Sequence, residues 1–98
     1  MDLYLILRRD GWRTRDELEA AVERSTLEGE RLSDVRWNRS YVLEEADGTL
    51  GSVCVYEADS ADAIRRHAAA AQLPVSDIVK VADTVVVRPD RPTDTGEN

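Results

Sequence analysis

Phenylalanine is absent from this 98-residue chain, cysteine and histidine occur once each, and there are only three prolines. Without Phe, a core must be assembled from Val, Leu, Ile and Ala with two Trp and three Tyr, which keeps it modest in a chain the size of one domain. One cysteine cannot close an intrachain disulfide, so a reducing, cytoplasmic setting is expected. No CxxC, HExxH or glycine-rich phosphate loop occurs, and five glycines are too thinly spread for a nucleotide fingerprint. The opening MDLYLILRRD has too short an apolar run and too early a charge for a signal peptide or a membrane span. Positive charge is also short: 13 basic residues against 20 acidic ones give -7. That sign repels phosphate backbones and anionic lipid heads, so neither nucleic acid nor membrane is expected as a partner.

What is present has clear periodicity. Residues 3–8 (LYLILR) are apolar on both faces, as a central strand requires, and Asp10-Gly11 ends the run with Trp12 in the connection. Thr14 stands three residues before Glu17, the reciprocal capping pattern of a helix start, and Leu18, Ala21, Val22 and Ser25 then recur at helical spacing. This helix is expected to fade between Leu27 and Gly29. Residues 35–44 alternate, with Val35, Trp37, Tyr41 and Leu43 on one face and Arg39 intruding, while Arg36, Asn38 and Ser40 take the other; this suits an edge strand. Asp47-Gly48 marks a hairpin turn into Leu50–Ala58, a second central strand.

Asp59 and Ser60 offer caps for a second helix that runs to about Gln72, where Leu73-Pro74 stops it; its inward stripe is Ile64, His67, Ala68 and Ala71. Ser76 and Asp77 suit one further turn, residues 79–87 a last strand, and 89–98 a disordered polar tail beyond a domain of residues 1–88. The order strand, helix, strand, strand, helix, strand is the split βαββαβ of the ferredoxin-like α+β fold, a four-stranded antiparallel sheet with both helices on one face. Its open face, apolar on the central strands, calls for a cover, and a second copy of the chain is the simplest.

The stretch Cys54 to Pro74 holds the lone cysteine and the lone histidine. His67 lies in an apolar helical stripe, where an imidazole serves as a hydrogen-bonded core residue, a metal ligand or a general acid/base. Glu57 is the nearest acid in chain order to orient it. Cys54 shares a strand face with Tyr56 and stands opposite Glu57; buried, such a residue acts chiefly as a small hydrophobe. Trp37, Tyr41 and Tyr56 pair apolar bodies with polar ends, the make-up of a core, of a dimer interface, or of a pocket wall.

The segments WNRSYV (Trp37 to Val42), CVYEADS (Cys54 to Ser60) and AIRRHA followed by QLP (Ala63 to Pro74) resemble a family of small actinobacterial proteins known as a domain of unknown function. The resemblance spans about residues 3–83 and implies a dimeric nickel-binding protein with a ferredoxin-like fold. It makes His67 the first metal ligand to consider, with Glu57, Tyr41 and Cys54 behind it, and a divalent transition metal, nickel above all, the implied cofactor; no organic cofactor is indicated. Where the family carries an acid late in the first strand, this chain has Leu7, which opens the pocket to an apolar guest. The alternative reading is a small cofactor-independent enzyme of cyclase, isomerase or monooxygenase type. It would use His67, Glu57 and Tyr41 for proton transfer and Trp37, Tyr56 and Leu7 to hold a small hydrophobic ligand.

Overall fold

The computed structural model describes residues 1–31 and 33–89. Six elements follow in the expected order: β1 (Asp2–Trp12), α1 (Arg15–Arg31), β2 (Val35–Glu44), β3 (Leu50–Ala58), α2 (Ala61–Ala71) and β4 (Asp77–Lys80). They form one antiparallel sheet in the order β2-β3-β1-β4, so the two strands apolar on both faces are the inner pair. This is the ferredoxin-like arrangement, with both helices on one face of the sheet. No described helix is long and apolar enough to cross a membrane.

The core lies between α2 and the inner strands. Tyr4, Ile6, Cys54, Tyr56 and Ala58 from the sheet meet Ala63 and Ile64 of α2, with Val35 closing the edge. Full burial of Ile6 and Ile64 contributes about 1.5–3 kcal/mol each. A second cluster, Trp12, Leu18 and Ala21, ties α1 to the far end of β1. Thr14 Oγ1 accepts from the Glu17 amide at 3.2 Å, and Glu17 Oε1 accepts from the Arg13 amide at 2.9 Å, so the α1 start is closed from both directions. Ser60 caps α2 through the Ala63 amide at 3.1 Å. Gln72 ends α2 in the left-handed region, φ 57°, and Arg24 of α1 reaches over to donate to the Ala71 carbonyl at 2.9 Å. That bond satisfies a helix-end carbonyl and fixes the two helices together.

Several boundaries depart from the sequence reading. β1 continues past Asp10 to Trp12, through an irregularity between Arg8 and Trp12 with Asp10 at φ 50°, and this turns Trp12 into the core instead of leaving it in a connection. α1 runs on beyond Gly29, and Val22 is 41 % exposed instead of inward. Ser76 and Asp77 form no helical turn: the Ser76 amide donates to the Leu7 carbonyl at 2.8 Å and the chain enters β4 directly. The last strand is far shorter than residues 79–87. β4 runs antiparallel to β1 with Tyr4 opposite Lys80, and the Val81 amide donates to the Leu3 carbonyl. Since β1 begins at Asp2, that register leaves nothing opposite Val85, Val86 and Val87, which stand exposed. The tail beyond Pro89 lies outside the described residues.

β2 carries the change with the largest consequence. A bulge between Trp37 and Arg39 inserts Asn38 and breaks strict alternation. Val35 and Trp37, then Ser40 and Val42, face the helices opposite Ala58, Tyr56, Cys54 and Ser52. Arg36, Arg39, Tyr41 and Leu43 occupy the open face. Tyr41 therefore parts company with Trp37, with which plain alternation had grouped it.

Candidate functional site

Sheet parity sorts the sequence-derived site residues into two groups. His67, Cys54, Tyr56 and Trp37 lie on the helix side; Glu57, Tyr41 and Leu7 lie on the open face. The two groups do not meet, because the sheet stands between them.

On the helix side, His67 is 1 % exposed at the centre of α2's inward stripe. Its Nε2 lies 3.2 Å from the Ser25 carbonyl oxygen, which can only accept, so Nε2 carries the proton. Nδ1 has no partner. Ser25 serves a second neighbour: its hydroxyl is 3.3 Å from the Tyr56 hydroxyl. The Tyr56 ring tilts against the imidazole at 5.5 Å and stacks on Trp37 at 6.1 Å. Burial pushes the Tyr56 phenol above its ordinary value, opposed by the Ser25 hydrogen bond and by the nearby Arg8 guanidinium. Cys54 is buried with its Sγ 3.4 Å from Ser52 Oγ, the setting of a small packed residue. Arg65 and Arg66, which flank His67, are exposed and paired with Asp62 and Asp34 at 2.8 and 2.9 Å.

Beneath α1, next to this cluster, is a half-open cavity. About 360 Å³ there is unfilled by protein atoms, part of it open to solvent. Trp12, Trp37, Tyr56, Cys54, Val22 and Arg8 form much of its wall. His67 is not in that wall, so proton transfer by its imidazole to a guest in the cavity has no direct path. Arg8 is the residue that sequence reading missed. It reads as the polar end of a strand, yet it is 1 % exposed on the helix side, its Nη1 donates to the Pro74 carbonyl at 2.7 Å, and its Nη2 has no hydrogen-bond partner among the described residues. The available signal was parity: Tyr4, Ile6 and Arg8 are two apart, so a core-facing Ile6 carries Arg8 inward with it.

On the open face, cross-strand rows can be read directly. Tyr41, Val53, Leu7 and Asp77 form one, Arg39, Val55, Leu5 and Val79 the next, and Arg36, Glu57 and Leu3 a third. The centre of this face is thus a block of Leu and Val bordered by charged and phenolic groups.

Among the described residues no group of three or more His, Cys, Asp or Glu side chains converges, and the four candidate ligands are split between faces. One chain alone does not fit a metal site, although His67 Nδ1 leaves one imidazole lone pair unused.

These features define a small ferredoxin-like α+β domain with an aromatic cavity beneath one helix and an apolar open sheet face. The model of one family, the nickel responsive proteins described as SCO4226-like, matches residues 4–81, and the chain belongs to that family. Among solved structures, the chain is similar to SCO4226 from Streptomyces coelicolor A3(2), with a TM-score of 0.68 at 20 % identity over 85 % of this chain and 99 % of that one. No curated protein matches it.

Proposed function

We propose that this chain acts in the cytoplasm as a homodimer in the response to nickel or another divalent transition metal, its copies meeting over the open sheet face. The observation that carries the reading is the Leu and Val block on that face: Leu3, Leu5, Leu7, Val53, Val55 and Val79 stand on one side of a sheet whose helices all lie on the other. Pairing would remove this area from water at about 25 cal/mol per Å² of apolar surface. It also bears on the metal. Glu57 and Tyr41 lie on the same face, so a two-fold seam brings two sets of oxygen ligands together where one chain has too few. His67 then serves the core, joining α2 to α1 through Ser25.

The test is a Leu5→Glu variant, which puts a charge in the middle of the block. Tag-free wild type is expected to run at twice the 11.0 kDa chain mass in light scattering and to bind nickel in a calorimeter. Leu5→Glu is expected to run as a folded monomer without nickel heat, whereas His67→Ala, if folded, keeps both. A monomeric wild type, or undiminished nickel binding by the Leu5→Glu monomer, would sink the proposal.

A further inference from the structure

Two apolar features of this chain have no cover in a single copy. The first is the arm that follows β4. Val85, Val86 and Val87 are 69 to 86 % exposed, although three successive β-branched residues favour a strand. Among the described residues, the last backbone bond tying the arm to the sheet is that of the Val81 amide to the Leu3 carbonyl. The second is the cavity beneath α1. Its wall is mostly apolar and aromatic, and its most exposed members are Val22 of α1, at 41 %, and Val42 of β2, at 46 %. They mark a mouth at the outer edge of β2, and among the described residues β2 pairs with β3 alone. An edge strand beside an apolar hollow suits strand addition: backbone bonds hold the new strand, and its alternate side chains fill the space.

Reach decides how the two features meet. An extended chain spans at most ~3.6 Å per residue, so Val85, four residues past Val81, lies within about 14 Å of it. β4 and β2 are opposite edges of the sheet. With strands about 4.8 Å apart, a strand beyond β2 lies four spacings, roughly 19 Å, from β4. The Val85 to Val87 run therefore cannot lie along the β2 of its own chain. A second copy has no such limit: sheets packed face to face are about 10 Å apart, and the six residues from Val81 to Val87 span ~20 Å. Stoichiometry points the same way. Every copy carries one arm and one mouth, so exchange between two copies covers both, whereas a foreign partner for one leaves the other bare.

We propose that the Val85 to Val87 arm of each copy adds as a short strand to the outer edge of β2 in the other, its valines closing the mouth between Val22 and Val42. This exchange rests on the homodimer proposed above and extends the contact from the open face to the sheet edge.

Both tryptophans of the chain line the cavity, and Trp37 is only partly buried. It stands on the helix side, away from the open-face seam, so its quenching by acrylamide reports the mouth alone. Tag-free protein in chelator would be diluted through its dissociation range in sedimentation velocity, with quenching read in parallel. Wild type is expected to be quenched less as a dimer than after dilution. Val85→Pro combined with Val86→Pro removes two adjacent amides, so whichever faces β2 is lost; Val22→Glu puts a charge in the mouth. All three positions are exposed, so the fold of one copy is expected to melt as wild type does. Each variant is expected to weaken the dimer about tenfold and to leave Trp37 as open to quenching as in the monomer. Since both remove the same contact, combining them is expected to cost no more than either alone.

An arm variant with the wild-type dissociation constant and quenching would overturn the exchange while leaving the open-face dimer standing. Multiplying losses in the combination, about a hundredfold in all, would overturn it too, as would tryptophans equally shielded in monomer and dimer. A monomeric wild type would end both readings. A dimer that Leu5→Glu leaves intact and the arm variant weakens would sustain the exchange and remove the open-face seam alone.

Discussion

Gly51 sits where the hairpin strand passes β1, and replacing it by alanine tests whether that passage is rigid. A Cβ there would lie 2.6 Å from the Arg8 carbonyl oxygen and 2.6 Å from Glu45 Oε2, about 0.8 Å short of the 3.4 Å at which ordinary contact begins. Neither neighbour yields easily. The Arg8 carbonyl belongs to the backbone of a central strand. Glu45 is held by a fork on Arg9, with Nε and Nη2 at 2.9 and 2.7 Å, and by the Asp10 amide at 2.8 Å. Overpacking against side chains costs about 1–3 kcal/mol. With backbone on one side and an anchored carboxylate on the other, Gly51→Ala should fall in the upper half, about 2–3 kcal/mol. At about 4–8 °C per kcal/mol for a domain of this size, the melting temperature should drop by roughly 8–24 °C. Urea titration should show a lower midpoint with unchanged slope, the mark of altered stability without altered compactness. In a Glu45→Ala background the same substitution should cost less but still more than zero, since the backbone clash remains. A Gly51→Ala cost within about 0.5 kcal/mol, the range of harmless surface changes, would refute the reasoning.

Two further outcomes follow from local chemistry. The Arg9 fork, then the Asp10 amide, lower the Glu45 carboxyl from 4.5 to about 2; a group lowered on folding stabilises fully above its unfolded value and loses that contribution as pH falls through the folded one. Wild type should therefore lose stability between about pH 4.5 and 2, and Glu45→Gln should flatten that limb in melts taken across the interval. Ser60→Ala removes the acceptor for the Ala63 amide at the α2 start; about 1 kcal/mol of stability should be lost, with hydrogen exchange faster in the first turn of α2 than elsewhere.

Much of the architecture was legible because it rests on periodicities that hold along whole elements. Leu3 to Leu7 and Val53 to Tyr56 are apolar on both faces, and these are the inner strands. The stripe Ile64, His67, Ala68, Ala71 is buried as its spacing requires. Where a single residue breaks the period, reading by parity fails downstream of it. Asn38 adds one residue to β2, so the alternation groups Val35 with Trp37 as observed but misplaces Arg39, Ser40, Tyr41 and Leu43 relative to them. The mark it leaves in the sequence is slight: alternation lapses into three polar residues, Asn38 to Ser40, and then three apolar ones, Tyr41 to Leu43, which hides the register beyond Trp37. The length of the last strand was illegible for a different reason. Val85 to Val87 have strong strand propensity, but a strand needs a neighbour, and the register of β4 on β1 supplies one only as far as the start of β1. Arg8 was overlooked because a charge at a strand end is usually solvated.

The sheet separates two chemistries, and that separation makes each testable without the other. Metal ligation by this chain has candidate donors on both faces, yet the oxygen donors Glu57 and Tyr41 are on the open one and only His67 and Cys54 are beneath the helices. His67 has one nitrogen engaged by Ser25 and one unpartnered; an imidazole held this way anchors α2 to α1 at the place where the cavity begins, since Ser25 and Tyr56 belong both to the His67 cluster and to the cavity wall. Coupling between the two sides would have to pass through β3, whose alternate residues face them: Tyr56 inward, then Glu57 outward. A shift of the β3 backbone at Tyr56 carries Glu57 with it, whereas a turn of the Tyr56 ring alone does not. If changes beneath the helices alter nickel affinity, β3 is the element that transmits them, since it alone places Tyr56 and Glu57 side by side on opposite faces. Equal nickel affinities in wild type and in Tyr56→Phe, which loses the hydroxyl contact to Ser25, would show that the two sides of the sheet act independently.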